Sequence, residues 1–446
     1  MKRRILGALL AACSLFSIEA AAFDLPFEKT QLDNGLTVIV HPDRTLPLVA
    51  VNLLYEVGAR DEEPNRTGFA HLFEHLMFMG TKRAPTKAFD AWMEEAGGSN
   101  NAWTSSDFTN YYEVGPPGLL PLFLWLEADR LEVLGRELGR EQLDLQREVV
   151  LNEMRQRVEN VPYGKVDVVL PGLLYPKGHP YHHPVIGSAE DLRAADVPDV
   201  RSFFERHYLP ANAVLVIAGD VDVDKAKELA ERYFGFLPKA EKPERVANVD
   251  PPQLDGIVRR TIEDRVELPK IVMAWHSPPH LKPGDAELDL FGAILSTGKA
   301  SRLYQALVYE KPIAQTVEAY QWSRGLSSVF VVEVLVRPGV SLDEAERAID
   351  AVLVDALSKA PSAEDVERAR NHYELAFLEG LQSVQKRAQL LALYQALTGD
   401  PGYLEKDLAR YRQATPEGIL EWAKKVVDPN RRVILRVVPQ AGMGGQ

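Results

Sequence analysis

The sequence predicts an α+β protein built as two tandem halves of similar design. Three observations carry that expectation. Short β-branched runs alternate along the chain with segments of helical period. A stretch rich in proline and charge, Lys239 to Gly256, interrupts the chain near its middle. In each half a helix leads into a late strand, at Asn212–Ile217 and Arg431–Arg436, about 220 residues apart. A length of 446 residues suits two or three domains. The implied division is a leader over 1–22, a first domain over 23–238, a linker over 239–256, a second domain over 257–440 and a tail over 441–446.

The elements follow in order. Met1-Lys2-Arg3-Arg4 and the apolar run Ile5–Ile18 precede Ala20-Ala21-Ala22, the layout of a secretory signal peptide. The run is too short to span a bilayer. Export to the periplasm is the expectation; lipidation at Cys13, after Leu10-Ala11-Ala12, is the alternative. Asn34-Gly35 predicts a hairpin into a strand over Thr37–Val40, and Val49–Val57 reads as a second strand. Helical spacing covers Arg66–Met79 and Thr86–Ala96, the latter with Thr86 as N-cap and Gly97 as C-cap. Strands are expected at Asn100–Thr104 and Thr109–Val114, and helices over 118–134 and 141–160. A strand at Ala213–Ala218 leads to a helix from Asp222 to Gly235. The second half offers strands near 258–263, 270–275 and 328–336, with helices near 285–309, 341–358 and 363–397.

Composition excludes several classes. Hydrophobic residues at 46% and charged residues at 26% are ordinary for a globular chain, which rules out a disordered or collagen-like one. A net charge of −13 argues against nucleic acid as a partner, because phosphate binding needs a Lys/Arg excess. Cys13 is the single cysteine, so metal chemistry must rest on His and carboxylates.

The stretch His71-Leu72-Phe73-Glu74-His75 carries that chemistry. On a helix, positions i, i+3 and i+4 share a face, so both imidazoles can reach one ion with Glu74 beside it. Zinc is the expected metal, because imidazole and carboxylate ligands with an open position are the catalytic zinc pattern. Spacing leaves the third ligand open among Glu141, Glu148, Glu153 and Glu159. His179, His182 and His183 sit in a Gly/Pro-rich loop and read as loop residues. His41, His207, His276, His280 and His372 have no partner at ligand spacing.

His-x-x-Glu-His is the inverted order of the thermolysin-type motif. The run from His71 to Thr81 resembles the M16 family of pitrilysin, insulysin and mitochondrial processing peptidase. Leu32–Leu36, Gly98–Thr104, Thr109–Tyr112, Val149–Met154 and Pro180–Gly187 resemble it too, and the likeness runs from about 24 to 438. It implies the M16/LuxS-like metallohydrolase fold: two homologous domains, each a mostly antiparallel sheet packed with helices, the first catalytic and the second without metal. It implies a zinc metalloendopeptidase holding one Zn2+ on His71, His75 and Glu153, with Glu74 as the catalytic base acting on water at the metal. The carboxylate that the family often carries seven residues before the third ligand is Gln146 here. Substrate would add as a strand at Asn101, Ala102 and Thr104. The family's Arg/Tyr substrate clamp falls on Val308 and Gln315; the nearby Arg302 and Tyr304 are expected to cap or pack a helix. An M16-like partner subunit in a heterodimer is therefore expected to supply the clamp, with a homodimer as the alternative. Substrates would be unfolded or short peptides. The competing reading is a non-catalytic assembly, scaffold or peptide-binding subunit.

Overall fold

The computed structural model of the chain describes residues 25–247, 249 and 253–440. The expected leader, Cys13 and the tail lie outside the described residues. Among the described residues, no helix is long and apolar enough to cross a membrane.

Two sheets organise the fold. The first contains β1 (Glu28–Gln31), β2 (Thr37–Pro42), β3 (Val49–Tyr55), β4 (Ser99–Thr104), β5 (Thr109–Gly115) and β6 (Ala213–Gly219). Their spatial order is β1-β2-β6-β3-β5-β4. The second contains β7 (Ile257–Asp264), β8 (Lys270–Ser277), β9 (Ala314–Trp322), β10 (Ser328–Val336) and β11 (Arg432–Pro439), in the order β7-β11-β8-β10-β9. Without β1 the two orders coincide strand for strand. The directions coincide as well: β2 is parallel to β6 and β7 to β11, while every other neighbouring pair is antiparallel. The duplication expected from the two late strands, β6 and β11, therefore extends through both sheets.

Helices of the first half are α1 (Phe69–Leu76), α2 (Ala88–Glu95), α3 (Leu120–Glu137), α4 (Arg140–Met154), α5 (Lys165–Leu174), α6 (Ala189–Ala194), α7 (Val197–His207) and α8 (Val223–Phe234). The second half carries α9 (Asp285–Ser296), α10 (Leu342–Ser358), α11 (Ala363–Leu381), α12 (Val384–Thr398), α13 (Leu404–Gln413) and α14 (Pro416–Val426). Each half covers one face of its own sheet and lends a helix to the other's second face. Ala388, Leu391 and Ala392 of α12 pack on Ile39, Ala50, Leu54 and Val216 of the first sheet. Val166, Leu170 and Leu174 of α5 pack on Val272, Ala274, Val331 and Leu435 of the second. Double coverage explains why β6 reads as an unbroken apolar run and β3 as one broken only by Asn52, which pairs with Asn110, both strands being buried at every position.

The structure corrects several sequence expectations. β9 lies where no strand was expected, in a segment rich in Ala, Gln and Glu. The helix expected over 285–309 is α9 followed by a separate π turn at Tyr304–Glu310. The helix expected over 363–397 is two, α11 and α12, with Ser383 capping the second. Helix 141–160 becomes α4 and a π turn, Arg155–Glu159. Thr86 caps nothing: α2 starts after Lys87, which has φ 72°, and the Thr86 hydroxyl donates to the Met79 carbonyl at 2.8 Å.

Candidate active site

Helix α1 is only two turns long, so local propensity alone cannot hold it. Two carboxylates secure its start. Glu62 accepts from the backbone N–H of Gly68 and of Ala70, at 2.8 Å each. Asp191 accepts from the Thr67 N–H at 3.0 Å and its hydroxyl at 2.5 Å. These fill orphan donors of the first turn and favour its positive end. Gly68 must be glycine: its φ is 88°, and a Cβ there would lie 2.6 Å from the Ile186 carbonyl oxygen. Phe69, Leu72, Phe73 and Leu76 face the core, with Phe73 stacked on Phe203. The opposite face is left for His71, Glu74 and His75.

That face meets Glu153, in the last turn of α4, where the helix passes into its π turn. The Nε2 atoms of His71 and His75 lie 3.4 Å apart. Glu153 places Oε2 3.1 Å from His75 Nε2 and Oε1 3.6 Å from His71 Nε2. All three ligand atoms fall within 4.8 Å of one another, the one such group of three or more among the described residues. Two ring nitrogens and a carboxylate converging on one point form the donor set of a divalent cation. Burial, then the neighbouring His75 ring, lowers His71 to about 4, so its ring is neutral and its lone pair free near pH 7. His71 Nδ1 is buried without a hydrogen-bond partner. The hydrogen bond with His75 holds the Glu153 carboxyl low, against the effect of burial. Arg157, on the π turn, adds an ion pair to Glu153 at 2.9 Å.

Glu74 stands beside the cluster, and its Oε2 accepts from the Thr104 hydroxyl at 2.6 Å. Burial pushes its carboxyl up and the Thr104 bond pulls it down. A base whose proton affinity is raised while its orientation is fixed suits proton transfer. Ala102 and Thr104 line the same cavity as His71 and Glu74, whereas Asn101 is exposed on the edge strand β4. Gln146 turns away, its amide donating to Met79 Sδ at 2.7 Å. Glu148 is exposed. Val308 packs against the core of the second half, and Gln315 is exposed on β9. Arg302 approaches Asp365 at 4.0 Å and Tyr304 packs against the same core, the packing roles expected of them.

Sequence reasoning missed several residues of this site. Glu62 and Asp191 lie outside the motif, and nothing in their spacing ties them to α1. His183 lines the cavity, with Nδ1 3.6 Å from Glu62 Oε2. Tyr320, Trp322 and Arg324 reach the cavity from the second half, through a strand that the sequence did not announce.

A duplicated α+β scaffold with an inverted His-x-x-Glu-His helix and a carboxylate from a following helix defines the class of inverted-motif metallopeptidases. Residues 37–169 match the family described as insulinase (peptidase family M16), and residues 194–373 match the peptidase M16 inactive domain. The chain belongs to the M16 peptidase family. It is similar to the zinc protease PqqE of Helicobacter pylori, at 28% identity over 397 residues, covering 88% of this chain and 89% of that one. A zinc protease of Rickettsia felis is 28% identical over 307 residues, covering 69% and 72%. Among solved structures, a protease from Helicobacter pylori superposes with a TM-score of 0.87 at 26% identity, covering 94% of this chain and 100% of that one. The first half of the periplasmic protease PqqL from Escherichia coli shares the fold, with a TM-score of 0.75 at 19% identity over 95% of this chain and 94% of that one. The relatives' names make this a family of zinc proteases.

Proposed function

We propose that the chain is a zinc-dependent endopeptidase of unfolded or short peptides. The observation that carries the reading is the convergence of His71, His75 and Glu153 within 4.8 Å beside Glu74. His71, His75 and Glu153 would hold one Zn2+. When bound, zinc supplies Lewis acidity that polarises a peptide carbonyl and acidifies water. Glu74 takes the proton of the attacking water on a carboxylate oxygen and delivers it to the leaving nitrogen. Thr104 keeps that carboxylate turned toward the cleft. The edge strand β4, with Asn101, Ala102 and Thr104, offers backbone groups to an extended substrate, which is held by main-chain bonds with loose sequence preference.

The same reading takes the chain to the periplasm by the leader over 1–22, in the company of an M16-like partner. Support for the partner is indirect: the positions aligned with the family's clamp are Val308 and Gln315, neither of which lines the cavity. A second M16-like subunit would supply the Arg and Tyr contacts, with a homodimer as the other arrangement.

The test is zinc content and peptidase activity of the chain alone and mixed with a coexpressed M16-like partner. One zinc per chain and cleavage in the mixture, lost in Glu74→Gln with zinc retained, is the expected result. Zinc without cleavage in either setting would favour a scaffold or peptide-binding subunit. Robust cleavage by the chain alone would remove the need for a borrowed clamp.

A further inference from the structure

The cavity above Glu74 is built by both halves of the chain. Its volume is about 520 Å3, the scale of a site that encloses amino-acid side chains. One side is His71, Glu74 and the end of β4. The facing side is largely apolar, with Val168 and Pro171 from α5 and Tyr320 and Trp322 from β9.

This second wall is held rigidly. Arg324 is buried, with its guanidinium 4.5 Å from the Trp322 ring, 4.4 Å from the Tyr181 ring and 5.2 Å from the Tyr175 ring. Its Nη2 donates to the Tyr175 hydroxyl at 2.8 Å. The Gly325 N–H donates to Asp107 Oδ2 at 2.9 Å, and the Leu326 N–H to the Tyr181 hydroxyl at 2.9 Å. The Tyr320 hydroxyl donates to Glu333 at 2.8 Å. The end of β9 is thus bolted to the first half, and its aromatic faces form a fixed wall of the cleft.

Apart from Asp167, the charged side chains around the cavity are already engaged. Arg157 pairs with Glu153, and Arg324 is spent on ring faces and a hydroxyl. Burial pushes the Asp167 carboxyl upward, away from its charged form. What the wall leaves unfilled is apolar contact. We propose that Trp322 and Tyr320 form a subsite taking a bulky apolar side chain, aromatic or branched aliphatic, from the residue flanking the cleaved bond. The second half, which contributes nothing to the metal set, would then set the substrate preference of the first. This rests on the peptidase reading above.

The experiment uses the zinc-loaded full chain with its coexpressed partner and peptides of the form Ac-Ala-Ala-Ala-Xaa-Ala-Ala-Ala-NH2, with Xaa as Phe, Leu, Ala, Arg or Asp. Mass spectrometry locates the cut, and kcat/KM ranks the series. Phe and Leu should exceed Ala, Arg and Asp by about tenfold or more, with the cut beside Xaa. Trp322→Ala should reduce the Phe-to-Ala ratio to within about twofold, with zinc content retained. Tyr320→Ala, at a partly exposed position, should lower the ratio by a smaller factor and covers the case in which Trp322→Ala does not fold. A preference for Arg or Asp, or a Phe-to-Ala ratio unchanged in both variants, overturns the proposal. If no peptide is cut, the hydrolytic reading fails separately, and affinity for the same peptides decides the subsite. Tighter binding of the Phe peptide that Trp322→Ala abolishes upholds it; equal binding of Phe and Ala peptides overturns it.

Discussion

The two halves place the same kind of helix at the same point of the same sheet, and among the described residues only one of them gathers side chains that could hold a metal ion. In the first half α1 follows β3 and packs on α4; in the second α9 follows β8 and packs on α11. Each helix carries titratable residues four positions apart, His71 and His75 on α1, Asp285 and Asp289 on α9. The surroundings differ. Asp285 is fully buried and accepts from Arg410 Nη1 at 2.9 Å, from the Gln321 amide at 2.7 Å and from the Leu281 N–H at 2.9 Å. Asp289 accepts from the Tyr411 hydroxyl at 2.7 Å, and burial together with Asp285 raises it to about 8. Tyr373 of α11, the helix that corresponds to α4, stacks on Tyr411 with ring centroids 3.5 Å apart. The second half therefore satisfies its acids internally with an arginine and a tyrosine. The first leaves ring nitrogens and a carboxylate pointing at one another, a set that could hold a metal ion. Scaffold geometry is shared; the balance of donors and acceptors separates a site from a strut.

The sharpest way to break this comparison is to remove one ligand from each half. Glu153→Ala should lower zinc affinity by two orders of magnitude or more, because about a third of the ligand set is lost. Asp289→Asn should leave zinc stoichiometry unchanged. Zinc content after gel filtration and chelator competition reads both. Retained zinc in Glu153→Ala would mean that the converging triad is not the metal set.

The next effect is on stability and falls on the second half alone. Arg410→Met leaves Asp285 buried without its cation, which costs about 3–5 kcal/mol. Thermal unfolding should fall by roughly 10 °C, with the first-half cluster still able to bind zinc. A fall of only a degree or two would show that the Asp285 network is not what holds α9 in place.

How far the sequence foretells each half follows the same physics. The His71–His75 motif is local, five residues on one helix, so periodicity alone places His71, Glu74 and His75 on one face. Glu153 needed the resemblance, because four glutamates on one predicted helix have equal claims by spacing. The paired late strands pointed to duplication through their matching apolar runs. What stayed hidden depends on contacts distant in the chain. Asp191 secures the start of α1 from 124 residues further along the chain, and α5 and α12 each cover the other half's sheet, which no local pattern encodes. β9 was missed because Ala314, Gln315, Glu318 and Ala319 are helix formers. Its buried Val317 and Ala319 do alternate with exposed Thr316, Glu318 and Tyr320, a short period-2 signal outweighed by composition.

A smaller effect tests how the first half is tuned. Thr104→Val removes the hydroxyl from Glu74 while keeping shape at the end of β4. A hydrogen bond to a charged group contributes about 1.5–3 kcal/mol. Here kcat should fall by about tenfold or somewhat more, with KM and zinc content little changed. Thr104→Ser should restore most of the loss. An increase in KM with kcat unchanged would instead make Thr104 a substrate contact.

The smallest expected effect separates the two exchanged helices. His276 sits where α5 covers the second sheet, and its Nε2–H donates to the Leu174 carbonyl at 2.9 Å. Burial lowers it from 6.5 to about 4, the bond to Leu174 opposing only in part. A ring with a depressed folded value takes up its proton later than the unfolded chain does. Stability is therefore complete above about pH 6.5 and drains away as the pH falls toward about 4. His276→Gln keeps a donor for Leu174 and removes the titration. Between pH 7 and pH 5 the native chain should lose on the order of 1 kcal/mol more unfolding free energy in urea than this variant. Equal losses would assign the acid sensitivity to His179 or His207, both also lowered to about 4, and away from the α5 contact.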